Sequence, residues 1–152
     1  MRKALAAALC LVLLAASGTA LAEKTVTLTF VGDCTLGGED WLINREGSFH
    51  DYARKEGYTY FFEKMRDFFS EDDLTIINFE GVLKDDSRDA VNKTYCFRGP
   101  TDFARILPLS SIEAVNLDNN HTLDYGKRGK TSTVEALTGA GVHVFDELTP
   151  YI

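Results

Sequence analysis

Hydrophobic and polar positions alternate between residues 25 and 31, where Thr25, Thr27 and Thr29 are interleaved with Val26, Leu28 and Phe30. A period of two marks a strand, and the run continues through Val31 into Gly32, so the pattern predicts a strand that stops at Asp33. Residues 37 to 57 are polar and aromatic with no sustained period, which predicts an irregular excursion holding a short helix. The period changes between residues 60 and 69. There Phe61, Phe62, Met65, Phe68 and Phe69 recur at intervals of three and four, predicting an amphipathic helix whose aromatic stripe packs into the core. Leu74 to Asn78 is a short β-prone apolar run between Asp72-Asp73 and Glu80-Gly81, and predicts a second buried strand.

Lys84 to Asn92 is charged and loop-like, and Lys93 to Phe97 predicts a further strand, stopped by Gly99-Pro100. A short helix is predicted over Asp102 to Leu107, with Thr101 as its N-cap. Ile112 to Leu117 predicts the next strand and Lys130 to Ala140 the next helix. Gly141 then occupies the favoured position just past the helix end, and Val142 to Phe145 predicts a last strand. Buried strands separated by helical stretches define an α/β class with a largely parallel sheet. Residues 147 to 152 carry turn formers but no closing element, so the sequence reads as the opening portion of a longer domain, incomplete at its C-terminus.

The first 22 residues have a different character. Arg2 and Lys3 precede an apolar run from Ala4 to Ala16, and small residues lead to Ala20-Leu21-Ala22. That order is the order of a secretory signal peptide, with cleavage expected before Glu23. A membrane-spanning helix needs about 20 apolar residues, which this run does not reach. The alternatives are an uncleaved anchor or a lipid on Cys10, which lacks lipobox-like residues before it. With the signal removed, residues 23 to 152 form one domain with no transmembrane helix, placed in the periplasm, the cell envelope or the extracellular space.

Charge narrows the partners. The leader holds two basic and no acidic residues, so the whole-chain charge of −7 becomes −9 beyond it, with 14 basic against 23 acidic side chains. Such a balance argues against nucleic acid as a partner and suits either cation binding or a solvated surface. Export also permits Cys34 and Cys96 to pair.

Three polar clusters each follow a predicted strand: Gly32-Asp33, Asn78-Phe79-Glu80-Gly81, and Asn119-Asn120-His121-Thr122-Leu123-Asp124-Tyr125-Gly126. In open α/β sheets, ligands bind outside the carboxyl ends of strands. Carboxylate, amide and imidazole groups gathered there offer the oxygen and nitrogen donors that Mn, Zn, Fe or Mg accept. Asp124 is placed to orient His121, because site histidines commonly pass their second ring proton to a carboxylate. Lys93, with Tyr95 and Arg98, either contacts an anionic substrate or sits solvated on an edge strand, whereas His50 and His143 are expected at the surface.

The order of these clusters resembles the capsule-synthesis protein CapA family, associated with poly-γ-glutamate assembly and distantly related to calcineurin-like metallophosphoesterases. The similarity runs from Thr25 to Phe145. It rests on Phe30-Val31-Gly32-Asp33, on Asp73 through Glu80, and above all on Ala114-Val115-Asn116-Leu117 leading into Asn119-Asn120-His121 and Asp124-Tyr125-Gly126. The resemblance implies the N-terminal half of a sandwich of central sheets flanked by helices. It also implies metal ligands at Asp33, Glu80 and Asn120, with Asn78 nearby and His121 facing the substrate. Two departures from the phosphoesterase pattern stand out: Thr35 occupies the place of a ligand histidine, and Glu80 that of a bridging aspartate. The implied function is a metal-dependent hydrolase acting on a phosphoester or amide in a capsule or envelope polymer, active at full length and inactive in this span. The alternative is a non-catalytic accessory to polymer export, anchoring or assembly, whose partner is the polymer or its synthesis machinery.

Overall fold

The computed structural model describes residues 24–146. The signal-peptide expectation over residues 1–22 and the unclosed segment 147–152 lie outside the described residues. Four parallel strands form the main sheet in the order β1, β2, β5, β6: β1 is Leu28–Cys34, β2 Leu74–Phe79, β5 Ala114–Asn116 and β6 His143–Phe145. A small second sheet pairs β3 (Val82–Leu83) with β4 (Arg98–Gly99), also in parallel. Among the described residues the α-helices are α1 (Phe49–Glu56), α2 (Arg66–Ser70) and α3 (Gly126–Gly139), and short 3₁₀ turns complete the connections. The α/β class with a parallel sheet flanked by helices is the one the periodicities predict.

Local chemistry explains where the helices begin and end. At the start of α1 the Ser48 hydroxyl accepts from Asp51 N–H at 3.2 Å, and the Asp51 carboxylate reaches back to Gly47 N–H at 2.9 Å. This reciprocal cap fixes a helix that hydrophobic periodicity alone leaves unplaced. At the end of α3, Gly141 adopts φ +85°, where only glycine is unstrained. Its N–H bonds Thr138 O at 3.0 Å, and Val142 N–H bonds Leu137 O at 2.9 Å, so the turn closes with both Leu137 and Val142 in the core.

Helix α3 covers the small sheet through Gly129, Thr133 and Leu137, which share one buried face. A Cβ on Gly129 would stand 3.1 Å from Val82, so the missing side chain is what lets the helix approach β3. Thr133 Oγ1 accepts from Leu83 N–H at 2.9 Å while Ser132 Oγ donates to Leu83 O at 2.7 Å. The polar edge of β3 is thereby satisfied by side chains of the helix.

Several expectations are corrected. Residues 60 to 69 form a 3₁₀ turn (Tyr58–Phe62) and the short α2 instead of one helix. The stripe is also divided. Phe61 stacks on Phe49 at 3.9 Å and Phe69 is buried, but Met65 and Phe68 are exposed, so the rings follow two separate packing sites and not one helical face. Lys93 to Phe97 is loop, with strand pairing only at Arg98–Gly99, because that loop's polar groups bond the 121–124 turn in place of a strand. Thr101 does not cap with its side chain; its N–H and hydroxyl bond Asp85. The Cys34 and Cys96 thiols are free.

The strands of the main sheet are buried on one face only. Ile77, Phe79, Val115, Leu137 and Val142 build a single core with Ala53, Phe69, Phe103 and Ile106. On the other face Phe30 is 71% exposed, and Leu28 is open beside it. A groove there is lined by Leu74, Ile76, Ala114, His143 and Phe145. Among the described residues every helix lies on the opposite side, which is why the alternation in β1 signals a half-covered strand.

His50, expected at the surface, is 7% exposed and its Nε2 has no hydrogen-bond partner. Its ring packs on Phe103 at 5.1 Å. Burial, then the charges of Arg98 and Arg54, hold its pKa below the ordinary 6.5, with Asp40 acting weakly in the opposite sense. A base whose folded pKa is depressed takes up its proton more readily when unfolded, so its contribution to stability is lost as pH falls below about 6.5. Urea midpoints measured between about pH 7 and pH 5 should decline less steeply in His50→Leu than in the parent chain. Identical pH slopes would remove His50 as a cause of acid sensitivity.

Candidate functional site

A bulge decides which way Asp33 points. Val31 pairs with Ile77, yet Asp33 pairs with Asn78, so one extra residue, Gly32, is accommodated in β1. Strand side chains alternate between faces, and without the insertion Asp33 would share the core face of Val31. With it, Asp33 joins Asn78 at the carboxyl end of the open face. Asn78 Nδ2 donates to Asp33 Oδ1 at 2.6 Å. Asn78 Oδ1 in turn accepts from Asn116 Nδ2 and Asn119 Nδ2, both at 3.1 Å. A chain of carboxamides therefore crosses the ends of β1, β2 and β5 and terminates on an exposed carboxylate.

Asn119 is the pivot between this chain and the imidazole. Its Nδ2 also donates to Phe79 O at 2.9 Å, and its Oδ1 accepts from His121 N–H at 2.9 Å. The turn is further tied by Thr122, whose hydroxyl bonds Leu117 O. Asn120, by contrast, is exposed. Glu80 sits one residue beyond β2, its N–H bonded to Cys34 O at 3.0 Å.

Asp124 organises the other half of the site. Its side chain is 1% exposed and accepts from Lys93 Nζ at 2.8 Å, Phe97 N–H at 2.7 Å and His121 Nδ1 at 2.7 Å. Lys93 Nζ also donates to Asn120 O at 2.8 Å. The Phe97 ring lies over the His121 imidazole, with centroids 4.4 Å apart and planes inclined by 22°. An ionised carboxylate offers acceptors only, so the hydrogen-bond network assigns the shared proton to Nδ1. His121 Nε2 faces Glu80 Oε1 at 3.7 Å, beyond hydrogen-bonding range.

A second brace stands behind the first. Arg98, buried, donates from Nε to Asp40 Oδ1 at 2.8 Å and from Nη1 to Lys84 O at 2.6 Å. Tyr125 OH donates to Asp40 Oδ2 at 3.0 Å. Burial and this bond push the Tyr125 phenol well above its ordinary range, so it remains a hydroxyl. Cys34 lies beside Asp33, and burial followed by the Asp33 charge raises its thiol to about 11.

The structure thus joins Asp33 to Asn78, and joins His121 to Asp124 and Lys93. Glu80 faces His121, and Asn120 is exposed on the same turn. Among the described residues no group of three or more His, Cys, Asp or Glu side chains stands close enough to hold a metal ion. The converging donors are of mixed kind, with carboxamides among them. Asn116, Asn119 and Phe97 received no role from the sequence. Asn119 sits in a visible polar cluster, whereas Phe97 carries no signal because its importance comes from a backbone N–H and a ring contact. No described helix is long and apolar enough to cross a membrane.

A parallel α/β sheet with polar side chains gathered at its carboxyl edge is consistent with part of a metallophosphoesterase-like fold. The chain belongs to the bacterial capsule synthesis protein family PGA_cap, which matches residues 27–145. It is also 39% identical over 70 residues to the probable polyglutamine synthesis accessory protein of Mycobacterium tuberculosis, in strain CDC 1551 / Oshkosh and equally in strain H37Rv. The aligned stretch covers 46% of this chain but only 18% of each of those relatives.

Removing the Asp124 charge should be costly. An amide there turns a donor toward Lys93 or Phe97 N–H, so Asp124→Asn is expected to lose about 3 kcal/mol in urea unfolding. Asp33→Asn, exposed and still able to accept from Asn78, should stay within about 0.5 kcal/mol. Equal losses for the two would show that Asp124 does not carry the turn.

Proposed function

We propose that this chain is an exported capsule-synthesis protein whose site binds a divalent metal and serves hydrolysis or transfer at a phosphoester or amide of an envelope polymer. The observation that carries the reading is a pairing: a carboxylate and a charge-braced imidazole stand at the carboxyl edge of the sheet, with Nε2 making no hydrogen bond. Asp33 and Glu80 have no lysine or arginine within ion-pair distance among the described residues, which leaves local negative charge for a cation to neutralise. Export is supported by the leader-like sequence of residues 1–22.

The donor set fits a hard or borderline divalent ion such as Mn, Zn, Fe or Mg. Asp33, Glu80 and the free carboxamide of Asn120 would hold it. Bound there, such an ion supplies Lewis-acid polarisation and a water of lowered pKa. The protein's own groups do the rest. Asp124 keeps the proton on Nδ1, Phe97 restricts the ring, and the Asn78-Asn119 amide chain holds the turn in register with β1. Net negative charge beyond the leader disfavours a polyanionic substrate unless a cation screens it.

The second reading, a non-catalytic accessory to polymer export or assembly, is favoured by the accessory role for which the mycobacterial relatives are named. It is favoured too by the lack of a three-residue metal cluster among the described residues. The two part in one experiment on a protein of the relatives' full length. Under the hydrolase reading, bis-p-nitrophenyl phosphate or a γ-glutamyl amide is turned over with added Mn, and Asn120→Ala lowers the rate at least about 100-fold. Metal or polymer binding without turnover assigns the protein to the accessory class.

A further inference from the structure

We infer that Trp41 and Arg45 form a subsite that holds a carboxylate-bearing polyamide chain next to the sheet-edge site. The inference rests on the polymer-directed reading above and adds the place where the polymer is gripped; it involves no metal and no particular charge on His121. Its starting point is the excursion that follows β1. Gly38 N–H bonds Arg98 O at 3.1 Å and Arg98 N–H bonds Gly38 O at 2.9 Å, so the excursion is tied twice to β4. The two stretches run too close for side chains. A Cβ on Gly37 would stand 2.3 Å from Arg98 O, and one on Gly99 2.2 Å from Leu36 O. Asp40 is then held by Arg98 and Tyr125, the residues directly after Phe97 and Asp124, which contact His121. Residues 37–40 are thereby fixed to the same segments that position the imidazole.

Trp41 comes next, and it is the single tryptophan of the chain. Its ring is 59% exposed although the backbone beside it is anchored. The short turn Asp40–Leu42 continues into a bond from Arg45 N–H to Leu42 O at 2.9 Å, which brings position 45 back over position 41. The Arg45 guanidinium lies over the indole, 4.5 Å from its centroid. A cation on an aromatic face holds both side chains in one arrangement before any ligand arrives.

Arg45 is exposed and meets no carboxylate among the described residues, in a chain with 23 acidic against 16 basic side chains. Its N–H fork is left for an outside carboxylate, which it can take bidentately. Net negative charge disfavours a polyanion elsewhere on the surface, so an unmatched cation is where such a chain is held. The open part of the indole offers a flat apolar surface on which amide planes and methylenes pack. A ligand with acidic side groups on an amide backbone uses cation and ring together, whereas a polyphosphate uses the cation alone. Because the pair is ordered beforehand, binding costs little conformational entropy.

The test uses Trp41 as its own reporter, since its indole emission is free of any other tryptophan. Oligomeric glutamate titrated into the whole chain, metal-free and at low salt, is expected to change that emission saturably. Arg45→Gln should weaken affinity at least about tenfold, and Arg45→Lys, which keeps the charge but loses the fork, by about threefold or more. Trp41→Leu, followed by calorimetry, should also lose at least about tenfold. Lys64→Gln removes an exposed cation between the Tyr58–Phe62 turn and α2 and should leave affinity unchanged. All these positions are exposed, and unchanged urea midpoints show that each variant is folded. Absence of a saturable change overturns the subsite, as does equal weakening by Arg45→Gln and Lys64→Gln, which reduces the binding to diffuse charge. Polyphosphate or polygalacturonate bound as tightly as oligomeric glutamate overturns the polyamide assignment. Turnover at full length without this binding removes the subsite and leaves the hydrolase reading standing; this binding without turnover does the reverse.

Discussion

Burying the Asp124 carboxylate obliges three stretches of chain to meet. An ion 1% exposed must be fully supplied with donors, and the donors come from Lys93 and Phe97 on one loop and His121 on the turn that carries Asp124 itself. The loop from 91 to 97 has little else to hold it. Its strand-like sequence is used instead to reach back across the turn, with Val91 N–H bonding Asp124 O at 2.9 Å. Arg98 and Tyr125, the residues just after Phe97 and Asp124, meet separately on Asp40. Two buried or half-buried carboxylates thus clamp the same pair of segments, and the imidazole is oriented as a consequence.

A second constraint runs along the sheet. The bulge at Gly32 turns Asp33 to the face that carries Asn78, and two asparagines, Asn78 and Asn119, then relay hydrogen bonds to the backbone of His121. Carboxamides suit this task because each both donates and accepts, so the chain closes without a buried charge. The outcome is a site with rigid interior groups and oxygen donors left free at its rim. Rigidity inside and unsatisfied donors outside are what a ligand site requires.

Much of this was legible in the sequence. The strands β1, β2, β5 and β6, helix α3 and its glycine stop all follow from periodicity and end signals, because each is either amphipathic or bounded by a residue with one conformational use. The polar clusters after the strands were legible for the same reason. Other features depend on contacts distant in sequence. The stripe from 60 to 69 has helical spacing, yet its rings serve separate partners, and Phe49 on Phe61 outweighs continuity of the helix. His50 has no local signal of burial; it is enclosed by Phe103, more than fifty residues away. The bulge that redirects Asp33 is invisible to a period-two reading, since one glycine at a strand end looks like a turn.

The central claim is that Asp124 holds the His121 proton on Nδ1 and so fixes the ring with its Nε2 toward Glu80. Side-chain nitrogen NMR of the metal-free chain near neutral pH measures this directly, because the two ring nitrogens report separately whether they carry a proton. The account predicts that Nδ1 of His121 carries a proton. A proton resident on Nε2 with Nδ1 bare would contradict it, and would assign the Asp124 interaction to a protonated carboxyl group instead.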